Sequence, residues 1–113
     1  MQGKVMTVLG PIEPETLGIT LTHEHLFVDL RVWCEEPDEE EQKAFVHAPV
    51  ELSTLGAIRR EPFGNLDNCV LDNTALAVEE LRRFKTAGGR SVVDCTNNGL
   101  GRTPLALQEV AQS

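Results

Sequence analysis

Residues 73–113 constrain the fold most. Asn73-Thr74 opens a run in which Leu76, Ala77, Val78, Leu81 and Phe84 recur at helical spacing. Glu79 and Glu80 stand about one turn from Arg83 and Lys85, a spacing at which opposite charges support a helix. Gly88-Gly89 provides the stop. Ser91-Val92-Val93-Asp94-Cys95-Thr96 follows at once, a short β-branched run that suits a buried parallel strand. After the loop 97–102, Thr103 as N-cap and Pro104 at the first helical position start another helix, which runs to Ser113. Helix, strand, loop and helix in this order belong to a repeating βα fold.

Upstream, Lys4-Val5-Met6-Thr7-Val8-Leu9 is a β-type run stopped by Gly10-Pro11. Pro14–Gly18 reads as one helical turn closed by glycine, and Ile19–Thr22 as the next strand, with the Lys4–Val8 run as its expected hairpin arm. This strand delivers Leu21-Thr22-His23-Glu24-His25-Leu26. Residues i and i+2 of a strand share a face, so His23 and His25 can aim their imidazoles at one point while Glu24 turns away. Two converging imidazoles begin a metal site. They do not complete one, because structural zinc takes about four ligands and catalytic zinc about three plus water.

Between these blocks the chain is less regular. Residues 29–49 read as irregular, with Glu35–Glu41 a proline-broken, solvated acidic loop whose spacing does not match an EF-hand. A helix is expected from Pro49 to about Arg60, ended by Glu61-Pro62-Phe63-Gly64-Asn65.

The bulk properties exclude several functions. A net charge of −8 argues against a nucleic-acid partner, since phosphate binding wants a basic patch. Three cysteines, Cys34, Cys69 and Cys95, without CxxC spacing suit a reducing setting better than a disulfide framework. No signal-peptide pattern and no apolar run approaching about 18 residues is present. The expectation is a soluble, cytoplasmic protein without a membrane partner.

The stretch VLGPIEPETLGITLTHEHLFVD resembles the N-terminal signature of the phosphotriesterase family, a branch of the amidohydrolase superfamily. LAVEELRRFKTAGGRSVVDCTNNGLGR is similar to the second-strand region of the same family. The resemblance implies an α/β fold, the N-terminal portion of an amidohydrolase-type (β/α)8 TIM barrel with about two βα units. Residues 1–113 are thus read as an incomplete, metal-dependent hydrolase domain. It further implies a two-metal centre, most simply zinc, at the C-terminal strand ends, with His23 and His25 binding the more buried ion. The reaction class would be hydrolysis of phosphotriester, lactone or N-acyl/ester bonds of small molecules by a metal-activated hydroxide. The complete protein could be a homodimer. The family's remaining ligands have no counterpart in this chain, and no catalytic residue can be assigned. The alternative reading is a catalytically inactive remnant that acts as an interaction or partly disordered fragment.

Other candidates are weaker. The metalloprotease HExxH motif sets its histidines at i and i+4 on a helix, so Glu24 is read as a supporting residue and not a base. Asp94, alternating with Val93, is a second candidate for support of the site; Asp29 reads as a loop-supporting residue. Arg102, after Gly99-Leu100-Gly101, is the charged candidate for a substrate pocket. His47 reads as solvent-facing and Cys95 as a small buried apolar residue.

Overall fold

A computed structural model describes residues 3–113, with the side chain of Glu41 outside the description. In chain order the elements are β1 (Val5–Thr7), β2 (Gly10–Ile12), β3 (Ile19–Glu24), β4 (Val28–Asp29), α1 (Glu40–Val46), α2 (Leu55–Arg60), β5 (Val70–Leu71), α3 (Thr74–Thr86), β6 (Gly89–Asp94) and α4 (Pro104–Gln112). Short 3-10 turns lie between them. The chain divides into two compact units, one of Met1–Phe27 with Asn73–Ser113, the other of Val28–Asp72.

The first unit holds the βα pattern. β3 and β6 pair in parallel, with Ile19 opposite Gly89, Leu21 opposite Val92 and Glu24 opposite Asp94. Such a pair requires a crossover, and α3 precedes β6 as the helix expected of one. Asn73 starts α3 by accepting the Leu76 N–H on its side-chain oxygen at 3.0 Å, which satisfies one of the orphan donors of the first turn. Arg83 closes one turn of its exposed face with ion pairs to Glu79 at 2.7 Å and Glu80 at 3.4 Å. Phe27, Ala77 and Val110 form the buried core, with Leu26, Val78, Leu81, Ala106 and Leu107 packed against it. Leu76 belongs to the outer side of α3 and is half-exposed, since the inner stripe begins one residue later at Ala77. Gly88 takes a left-handed φ of +98°, and Gly89 is buried where a Cβ would overlap the Phe84 ring. Both glycines are therefore required: the first for the reversal, the second for close packing of helix on strand.

Three features of this unit differ from the expectation. The Lys4–Leu9 run pairs with Gly10–Ile12 in a tight antiparallel hairpin and not with the Ile19 strand. Gly10 adopts φ +112°, and the Thr7 hydroxyl donates to the Gly10 carbonyl at 2.8 Å while accepting from the Leu9 N–H, so the turn closes locally. Thr103 precedes α4 but makes no side-chain capping bond; Pro104 alone marks the start. β6 is parallel but not buried on both faces, and Val93 remains 46% exposed because β3 is its one partner among the described residues.

The second unit is organised around a buried amide. Asn65 is fully buried; its amide nitrogen donates to the carbonyls of Phe45 and Ala48, each at 2.8 Å, and its oxygen accepts the Asn68 N–H at 2.9 Å. It thereby bonds the Phe45 carbonyl in the last turn of α1 and the Ala48 carbonyl just beyond it, α1 being a helix inside a stretch expected to be irregular. Local charge hid this helix, because its apolar contribution rests on Phe45 and on buried Val46. α2 is shorter than expected. The Thr54 hydroxyl accepts the Glu51 N–H and shares its one proton between the Pro49 and Glu51 carbonyls, each at 3.0 Å, holding residues 49–54 in turns instead of helix. β4 and β5 pair antiparallel, Val28 opposite Leu71. The side chains of Glu35, Glu36 and Asp38–Glu40 are exposed, as a solvated acidic stretch should be. Among the described residues no helix is long and apolar enough to cross a membrane.

Candidate metal centre

The histidines sit where β3 ends. β3 extends through Glu24, so His23 is its penultimate residue and His25 follows its last. Two residues separate Leu21 from Glu24, whereas one separates their partners Val92 and Asp94, so β3 carries one extra residue there. A bulge of this kind re-aims side chains at a strand end. Across it, the His23 and His25 rings lie with centroids 5.5 Å apart at an interplanar angle of 70°. With metal–nitrogen bonds of about 2.0–2.1 Å, two imidazoles sharing one ion hold their ring centres roughly 5 Å apart. The edge-on pair is therefore close to the separation that a shared ion demands. His23 is exposed and His25 half-buried.

β6 fastens this corner. The Asp94 carboxylate accepts the Leu26 N–H on Oδ2 and the Thr96 N–H on Oδ1, each at 2.9 Å. The Cys95 N–H donates to the Glu24 carbonyl at 2.9 Å, continuing the pairing beyond the last ladder residue. Thr96 is buried; its hydroxyl donates to the Phe27 carbonyl at 2.9 Å and meets His25 Nδ1 at 2.8 Å. His25 Nε2 and both ring nitrogens of His23 have no hydrogen-bond partner among the described residues. This donor set fits a metal ion from one side: two adjacent imidazoles with nitrogens to spare, one of them held by a hydrogen bond at its other nitrogen. That last arrangement is usual for metal-ligating histidines. Among the described residues, no group of three or more His, Cys, Asp or Glu side chains comes together to hold an ion.

A sequence model of the Phosphotriesterase family matches residues 3–113, and the chain belongs to that family. N-acetyltaurine hydrolase of Xenopus tropicalis is 40% identical over 113 residues, covering 99% of this chain and 32% of the relative; that of Rattus norvegicus is 40% identical over 114 residues with the same coverage. The chain thus spans about a third of the length of the curated relatives it matches. Among solved structures, a resiniferatoxin-binding protein from Rhodobacter sphaeroides superposes with a TM-score of 0.91 at 43% identity, covering 97% of this chain and 31% of that one. A mutant organophosphorus hydrolase from Deinococcus radiodurans gives 0.58 at 25% identity, covering 98% and 26%. The chain is a mixed α/β piece of the family's TIM barrel, with the barrel not closed. Family members are metal-dependent hydrolases.

The remaining candidate residues fall in different places. Glu24 is half-buried opposite Asp94 in the ladder. Arg102 is exposed, its backbone N–H bonded to the Asn97 carbonyl at 3.2 Å. Cys95 is exposed instead of buried, because the bond from its N–H to Glu24 continues a sheet that has two strands among the described residues. In the second unit, Asp29 supports its loop. Arg31 donates to it from the backbone and from the guanidinium, and these hydrogen bonds, the side-chain one foremost, lower the carboxyl pKa to about 2. His47 is exposed, with Nε2 3.6 Å from Glu36. Burial pushes the Cys34 and Cys69 thiols up, so neither is poised as a thiolate. No local pattern marks Thr96 as a site residue; only the pairing of β6 with β3 brings it to His25, 71 positions away.

Proposed function

We propose that His23 and His25 are two of the protein ligands to one ion of a metal-dependent hydrolase centre, and that the substrate is a small molecule with an N-acyl bond. The ring pair at 5.5 Å, on a bulged strand end of a phosphotriesterase-family chain, carries this reading. The substrate class rests on relatives at 40% identity, which are N-acetyltaurine hydrolases. When bound, the metal would lower the pKa of a water and polarise the carbonyl oxygen of the substrate. Zinc suits imidazole donors, and the family resemblance supports two ions per complete centre.

The chain's own residues bind and orient. His23 and His25 offer neutral ring nitrogens and act as ligands, not as bases, since a coordinated nitrogen has no lone pair left for a proton. Asp94 ties Leu26 and Thr96 together through their backbone amides, which holds the end of β3 against β6. Glu24, between the two histidines in sequence and opposite Asp94 in the ladder, is the other candidate for supporting them. Arg102, exposed in the loop after β6, is a candidate contact for a substrate's anionic end.

Two imidazoles are fewer than the roughly three protein ligands of a catalytic zinc site. The test is therefore metal stoichiometry and turnover on one preparation of the chain, with N-acetyltaurine, a lactone and a phosphotriester as substrates. The account expects less than one ion per chain, loss of that ion on His23→Ala or His25→Ala, and near-zero turnover without further ligands. Metal binding indifferent to both substitutions would refute the assignment of the histidines. Two tightly held ions with robust turnover would show that this chain supplies a complete centre by itself.

A further inference from the structure

We infer that Thr96 is a positioning residue that fixes the ring tautomer of His25, placing the proton on Nδ1 and the free lone pair on Nε2. This rests on the metal-ligand reading for its purpose, though its geometry stands without it. The argument is a proton count. A threonine hydroxyl has one proton to give and lone pairs to accept with. Thr96 Oγ1 donates that proton to the Phe27 carbonyl at 2.9 Å, and a carbonyl can only accept. The same Oγ1 lies 2.8 Å from His25 Nδ1, so in that contact the hydroxyl must accept and the ring must donate. A neutral imidazole donating from Nδ1 has its lone pair on Nε2, the nitrogen with no partner among the described residues.

The hydroxyl cannot easily reverse its roles. Thr96 is 5% exposed, so water does not compete for its proton, and a reversed hydroxyl would leave the Phe27 carbonyl without that donor. Its backbone is pinned as well, since the Thr96 N–H donates to Asp94 Oδ1, whose other oxygen holds Leu26, the residue after His25. β6 therefore presents the hydroxyl at a fixed point, and the ring adapts to it. A valine at this position has nearly the same shape and no acceptor, whereas serine keeps the hydroxyl.

The test is long-range 1H–15N correlation of the His25 ring in the metal-free full chain, at an alkaline pH where imidazoles are neutral, followed by titration of the same samples with Zn2+. The expected result is an Nδ1–H tautomer in the parent chain, retention of it in Thr96→Ser, and a shift toward Nε2–H in Thr96→Val. Zn2+ affinity should fall about 10- to 100-fold in Thr96→Val and recover in Thr96→Ser. An Nε2–H ring in the parent chain, or an Nδ1–H ring unchanged in a folded Thr96→Val, overturns the inference. A parent chain with the expected tautomer whose Zn2+ affinity is untouched by His25→Ala would support the tautomer lock and overturn the metal reading, so the two failures are separable.

Discussion

Asp94→Ala should release the end of β3 from β6 while leaving most of the first unit folded. The carboxylate accepts two backbone N–H groups, from Leu26 and Thr96, each at 2.9 Å. A hydrogen bond to a charged group contributes about 1.5–3 kcal/mol, toward the lower end where solvent reaches it. Asp94 is half-buried, which puts the pair at about 3 kcal/mol when both are lost. Asp94→Asn is the informative companion. Its amide keeps one acceptor oxygen but turns an NH2 donor toward the second N–H, so it should lose one bond and gain a donor–donor contact. Amide hydrogen exchange reads both sites directly. The expected result is exchange of the Leu26 and Thr96 amides at least about tenfold faster in Asp94→Ala, since about 1.4 kcal/mol is a factor of ten. In Asp94→Asn one of the two should stay protected. Unchanged protection of both amides in Asp94→Ala, with the rest of β6 exchanging as before, would refute this account of the clamp.

Three further outcomes follow from the packing. Asn65→Ala removes three hydrogen bonds from a fully buried side chain and should cost the second unit about 3 kcal/mol; Asn65→Asp, which points a carboxylate at two carbonyls, should cost more. Urea unfolding followed by the fluorescence of Trp33, the chain's single tryptophan and edge-on to Phe63 at 5.4 Å, reports that unit; a midpoint unmoved by Asn65→Ala would contradict it. Gly89→Ala drives a Cβ into the Phe84 ring and should cost about 1–3 kcal/mol, partly restored by Phe84→Leu; full thermal stability in the single variant would show that the ring yields freely. The Asp29 pKa is lowered from 3.8 to about 2 by its bonds to Arg31, so the folded state holds its proton less readily than the unfolded chain. The stabilisation is thus fully present above about pH 4 and is lost as pH falls toward 2. A carboxyl titration by NMR should show the depressed midpoint and its return to the ordinary range in Arg31→Ala.

Features written in local pattern were legible in the sequence. The Asn73 cap, the apolar stripe to Phe84 and the Gly88-Gly89 stop specify α3 and the start of β6, because each acts through residues within a turn or two. The histidine pair was legible for the same reason, as i and i+2 on a strand. What escaped depends on partners distant in sequence or on packing over charged surface. The short hairpin of β1 and β2 has three residues on each side and a proline in one of them, too little for periodicity to show. α1 lies in an acidic run and is completed by Asn65, about twenty positions downstream. The bulge between Leu21 and Glu24, the Asp94 clamp and the Thr96–His25 contact all arise from the pairing of β3 with β6, 68 to 71 positions apart. Sequence pattern located the candidate ligands, and only the paired strands disclosed what holds them.

The most direct test of the central claim is a Zn2+ titration of the full chain followed at the ring nitrogens of all three histidines. His23 and His25 should respond together, with one ion between them and the His25 change at Nε2, while exposed His47, beside Glu36, stays where it was. A response led by His47, or one in which His23 and His25 move independently of each other, would contradict the reading of the pair as half of one metal's ligand set.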